Sequence, residues 1–124
     1  MNVLGIFANE LKNIGVPYEF MEWTSPVQYP YFIGEYAETV PVTEDGYESS
    51  SLILTGTTKG SWLELEQIKE KIKNHFPSIF GLRKSTDTGA VVFYYANRLP
   101  VPTGEAGLKR IQINIDVKEW SDHK

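Results

Sequence analysis

Apolar side chains at Val3, Leu4, Phe7, Leu11 and Ile14 fall on one helical face, and Gly15 with Pro17 closes the segment, predicting a helix from about Asn2 to Ile14. The period then shortens. Tyr18 to Trp23 alternates and is rich in aromatics, and Pro30 to Tyr36 does the same after a proline, predicting two strands. Ala37 to Gly46 reads as a loop holding Pro41 and the Glu44-Asp45-Gly46 turn. Glu48 to Thr55 reads as a third strand, antiparallel to the second. Gly56 to Gly60 is a polar loop, followed by Ser61-Trp62-Leu63-Glu64 with the spacing of a capping box. Trp62, Leu65, Ile68, Ile72 and Phe76 then mark one face of the best-defined helix, which Pro77 ends.

Beyond it, Ser78 to Gly89 reads mostly as loop, with Phe80 and Leu82 expected to pin it to the core. Ala90 to Ala96 is a dense apolar run, expected to be a central strand covered on both faces. Asn97 to Gly107, with Pro100, Pro102, Gly104 and Gly107, reads as a long stiffened loop. In Leu108 to Trp120, Ile111, Ile113, Ile115 and Val117 alternate with Gln112, Asn114, Asp116 and Lys118, so one face is buried and the other wet. The expected order is α-β-β-β-α-β-β: an α+β fold with a mostly antiparallel five-stranded sheet and both helices on one face. Residues 1–120 form one domain, and 121–124 a polar tail.

Composition narrows the chemistry. With no cysteine among 124 residues, a disulfide, a zinc–thiolate site and a thiol nucleophile are all ruled out. No apolar run approaches the length of a membrane span, and Met1 to Gly15 lacks the basic start of a signal peptide, so the expectation is a soluble protein without membrane contact. Charge is uneven: residues 1–58 hold Lys12 against eight acids, net −7, whereas 59–124 hold eleven bases and eight acids, net +3. Folding either interleaves these halves or leaves acidic and basic surfaces apart, where they attract between copies. The acidic balance argues against direct nucleic-acid recognition.

Candidate catalytic groups are few. His75 falls in the last turn of the second helix, where an imidazolium suits the dipole. His123 is in the tail. No metal-ligand spacing occurs, so no metal and no cofactor is expected. Gly56-Thr57-Thr58-Lys59-Gly60-Ser61 superficially looks like a phosphate loop but lacks its spacing, and Ser61 lacks a nucleophile elbow. Glu44, Asp45 and Glu48 crowd one turn, as a solvated acidic loop does. Tyr29, Tyr31, Tyr36 and Tyr47 fall near expected loops, where aromatics favour protein contacts.

Several stretches resemble a tail-completion family of long-tailed bacteriophages. They are Trp23-Thr24, then Tyr29-Pro30-Tyr31-Phe32-Ile33-Gly34-Glu35-Tyr36, the Glu44-Asp45-Gly46 turn, Leu54-Thr55-Gly56, the helix with Leu65 and Ile68, and the strand Leu108 to Val117. The chain is similar to the tail-terminator or tail-to-head joining proteins. The resemblance implies a structural subunit without catalytic residues, assembled as a hexameric ring on the tail tube and meeting the head connector. It would belong to the virion tail and, during assembly, to the host cytoplasm. In such a ring the acidic segment Glu35–Glu48, with Glu35, Glu38, Glu44, Asp45 and the nearby Tyr47, meets basic residues such as Lys59, Arg83, Lys84, Arg98, Lys109 and Arg110. The segments 37–47 and 97–107 would point to the tube and the connector. Two other readings stand beside it: an adaptor or regulator of a host or phage protein, and a small hydrolase or isomerase using Glu44, Asp45 or His75.

Overall fold

The computed structural model describes residues 3–24, 26–40 and 46–121. In chain order the elements are α1 (Val3–Asn13), β1 (Tyr18–Phe20), β2 (Tyr31–Val40), β3 (Tyr47–Thr58), α2 (Trp62–His75), β4 (Leu82–Ser85), β5 (Gly89–Val101) and β6 (Lys109–Ser121). The strands form one sheet in the order β1-β2-β3-β6-β5-β4. Every neighbouring pair is antiparallel except β1 and β2, which run parallel.

Alternation along β6 sets the layering. Ile111, Ile113, Ile115 and Val117 are all fully buried, and the register places Leu54 beside Ile113, Leu52 beside Ile115 and Phe93 beside Val117. Phe32 joins them from β2. Onto this face α1 brings Val3, Ile6, Phe7 and Leu11, and α2 brings Leu65, Ile72 and then Phe76, in one continuous cluster. The other face is polar along its middle, where Gln112 donates to Asn114 at 3.2 Å and Asn114 to Asn97 at 2.7 Å.

Two glycines let aromatic rings lie flat on the helix-facing side. A Cβ on Gly56 would stand 2.2 Å from the Phe32 ring, and one on Gly34 would stand 2.5 Å from the Tyr18 ring. Each ring covers the glycine of the neighbouring strand, a cross-strand pairing that pins register. Tyr18 then meets Phe7 edge-on at 5.8 Å. Burial pushes the Tyr18 hydroxyl up to about 12.

The α+β layering with two helices matches expectation; the strand count does not. Leu82–Ser85, read as loop, is a sixth strand because its backbone pairs with Ala90–Phe93, and hydrogen bonding along a ready-made edge outweighs weak local propensity. β2 runs on to Val40, and β3 continues through Gly56, Thr57 and Thr58. β5 continues through Asn97–Val101, shortening the expected loop. Pro100 is tolerated there because, among the described residues, no strand lies outside that part of β5. β5 itself is next to an edge rather than central.

The capping box is also corrected. Ser61 occupies the N-cap position without a side-chain cap hydrogen bond. The Glu64 carboxylate instead accepts from the Thr58 hydroxyl, which in turn accepts from the Gly60 N–H at 3.0 Å. Phe80 does not pin the core, being 84% exposed, whereas Leu82 does pack against it. Glu44, Asp45 and His123 lie outside the described residues.

Candidate functional site

Ionisable groups converge at one place. The Glu10 side chain, on α1, is buried; one oxygen lies 2.8 Å from His75 Nε2 on α2 and the other 3.5 Å from Lys84 Nζ on β4. The cluster ties three elements together at the rim of the core. His75 lies against the Phe76 ring at 5.0 Å and lines a shallow depression with Ile14, Lys71 and Asn74. That arrangement suits a buried carboxylate that must be paired, and it satisfies both oxygens.

Among the described residues, no group of three or more His, Asp or Glu is placed to hold a metal ion. The expected polar loop at 56–60 is strand as far as Thr58, and the Glu64 carboxylate already faces its end, so the backbone forms no phosphate cradle. No helix among them is long and apolar enough to cross a membrane.

The edges of the sheet carry the rest. On one side β1 covers only Phe32–Gly34 of β2, leaving Glu35, Tyr36, Ala37 and Glu38 exposed along an edge that no other strand among the described residues covers. On the other side lies β4, with Arg83 exposed and entering no ion pair among the described residues. The remaining expected cations are engaged within the chain. Lys84 faces Glu10, Arg98 meets Glu66 at 2.8 Å, and Arg110 Nε donates to Thr57 at 3.1 Å. Lys59 sits 5.3 Å over the Tyr29 ring, and Lys109 is half-buried beside Thr58 in register. Tyr47, expected near a loop, is the first residue of β3, its ring 5.3 Å from Trp120 and beneath the Lys118 ammonium.

Sequence reasoning missed Ile79 and Phe80, which are 82% and 84% exposed, and Phe20 and Met21 at the end of β1. The available signal was an apolar pair bracketed by Pro77 and Gly81, a span too short to return to the core. A cleft of about 330 Å³ between Pro17, Trp23, Pro26, Tyr29 and Pro30 was also unforeseen. The Trp23 ring packs 5.1 Å from Tyr31, and its buried Nε1 finds no acceptor among the described residues.

One cross-strand pair opposes folding. Glu48 lies beside Glu119, and partial burial, then the Glu48 charge, raise the Glu119 carboxyl above the usual range. Because the folded value is raised, this group favours folding fully only below the unfolded value of about 4.3, and that contribution is lost as pH rises through the folded value. Glu119→Gln is therefore expected to raise the thermal midpoint at pH 7 and to have little effect near pH 3.5. Equal shifts at both pH values would contradict the assignment.

Neither the protein-family models nor the curated proteins hold a match to this chain.

Proposed function

We propose that this chain is a non-enzymatic structural subunit that assembles with copies of itself, of the kind that terminates a bacteriophage tail tube and joins it to the head connector. The observation that carries the reading is the unlike charge of the two sheet edges: exposed Glu35 and Glu38 on the open edge of β2, and exposed Arg83 on β4. Surfaces of opposite sign on opposite sides of one molecule favour head-to-tail contact, and such contact closes into a ring when its rotation divides the circle. Six copies, axial contacts to tube and connector, and residence in the virion tail follow from the family resemblance.

The aromatic cleft at Trp23 and Tyr29 favours a second reading, an adaptor that grips an extended segment of another protein. Electron microscopy of the concentrated protein, alone and mixed with purified tail tubes, separates the two. The first reading expects rings of one size, free or capping tubes. Monomers under both conditions would refute it. Capsid, connector and tail-tube genes on either side of this one would support it.

A further inference from the structure

The aromatic cleft next to β1 carries an inference about its ligand, which rests on the second reading above and is independent of the ring. The cleft encloses about 330 Å³ between Pro17, Trp23, Pro26, Gln28, Tyr29 and Pro30, near the small end of the range for ligand sites. Its walls are held from behind. The Trp23 ring packs 5.1 Å from Tyr31, and Tyr31 lies 5.7 Å from Tyr29. The Pro17 carbonyl accepts the Phe32 N–H at 2.9 Å, and the Glu19 carboxylate accepts both the N–H and the hydroxyl of Thr24, at 3.0 and 2.6 Å. A ligand therefore meets rings already in place, which lowers the ordering cost of binding.

Two features decide what fits. The first is hydrogen bonding. Trp23 Nε1 is buried without an acceptor among the described residues, and an indole is a donor only. Of the lining side chains, only Gln28 and Tyr29 hold an acceptor. The second is charge. Residues 1–58 carry eight acids, yet no acidic side chain lines the cleft. A positive charge stands at its rim instead: Lys59 Nζ lies 5.3 Å from the Tyr29 ring, and Lys59 is exposed and enters no ion pair among the described residues.

This combination asks for an apolar ligand that brings acceptors and few donors. Proline meets both conditions, because a prolyl residue has a carbonyl but no N–H. In a polyproline II helix those carbonyls have no internal partner, and the pyrrolidine rings dock into grooves lined by aromatic side chains. An ordinary extended segment brings an N–H at each residue, and a sugar brings several hydroxyl donors; the lining side chains have few acceptors for either.

We propose that the cleft takes a proline-rich segment of a partner protein in the polyproline II conformation, with the Trp23 indole donating to one of its carbonyls and Lys59 facing an acidic residue beside its prolines.

The test is calorimetric titration of the whole chain with a blocked hexapeptide, one glutamate followed by five prolines. Saturable binding is expected below about 1 mM. The same peptide with alanine for every proline should bind about tenfold more weakly, because it brings N–H groups and loses the preformed helix. Lysine in place of the glutamate should cost about threefold at low salt. Trp23→Phe keeps an aromatic ring without the donor, and should weaken the proline peptide about fivefold to tenfold. Tyr29→Ser changes an exposed position and should weaken it about tenfold without moving the thermal midpoint, so the test does not hinge on how the Trp23 variant folds. Indifference to both substitutions would overturn the proposal, and so would tighter binding of cellotetraose. Equal binding of the proline and alanine peptides would overturn it and leave an adaptor for extended segments standing. Binding of neither peptide would sink the proposal and the adaptor together, whatever rings the microscope shows.

Discussion

Phe7→Ala is expected to lower the unfolding free energy by about 3–5 kcal/mol, the usual cost of deleting a buried aromatic ring. Phe7 is fully buried and is the contact through which α1 reaches three other elements. Its ring lies 5.4 Å from Phe76 at the end of α2, 5.4 Å from Phe93 on β5, and 5.8 Å from Tyr18 on β1. Removing it leaves a void bounded by fully buried Phe76 and Phe93, rings that a backbone fixed by sheet and helix cannot bring together to fill the space. Domains of this size are stable by roughly 5–15 kcal/mol, so the variant should sit close to the folding threshold at 37 °C. Urea titration followed by tryptophan fluorescence reads the effect as a large fall in midpoint at unchanged slope. A loss below about 1 kcal/mol would mean that α1 is not anchored through this ring.

Gly56→Ala is the second large effect, and it arises from one added methyl. The new Cβ would fall 2.2 Å from a ring carbon of Phe32, which is fully buried under the helices. Either the ring leaves its site or β2 and β3 separate, and overpacking of this kind costs about 1–3 kcal/mol or more. Gly56 is in the interior of β3, paired with β2 through Phe32 and with β6 through Ile111, so the strain cannot be shed at a frayed end. A double-mutant cycle with Phe32→Leu isolates the cause. Phe32→Leu alone should destabilise, yet in the Gly56→Ala background it should cost less or even stabilise. Strict additivity would place the strain elsewhere.

Legibility from sequence depended on whether a segment's pattern was set by the core or by its partners. β6 was plain, because strict alternation needs one buried and one wet face. α2 was plain from Leu65, Ile72 and Phe76, although Trp62, assigned to the same stripe, is largely exposed. β4 was invisible: Leu82-Arg83-Lys84-Ser85 has no strand pattern, and its structure comes from pairing with β5. The same holds for Asn97–Val101, where Pro100 signalled a loop but marks an outer strand edge. Glu10 counted in the sequence only as one of the eight acids of residues 1–58. Its buried place depends on His75, 65 residues away, and on Lys84, which no local window connects.

Of the residues expected from sequence to meet a partner, Glu35, Glu38 and Arg83 are exposed. Lys84, Arg98 and Arg110 meet partners within the chain. Charge counting cannot distinguish a cation facing a neighbour from one already occupied. Exposed Phe80 was misread because apolar side chains default to the core in any local argument. Only its position beside Tyr94 and Tyr95 shows that the core is out of reach.

The position of β6 has a consequence for synthesis. This strand lies between β3 and β5 yet follows both along the chain, and its pairing with β3 joins residues as far apart as Tyr47 and Trp120. While the ribosome is still making residues 59–108, the inner edge of β3 has no strand beside it, and Leu52 and Leu54 have only β2 and the helices for cover. Contacts of such long range form slowly, and an uncovered strand edge invites nascent chains to pair with one another. A transcript truncated before Lys109 should therefore yield aggregates or protease fragments rather than a smaller folded piece.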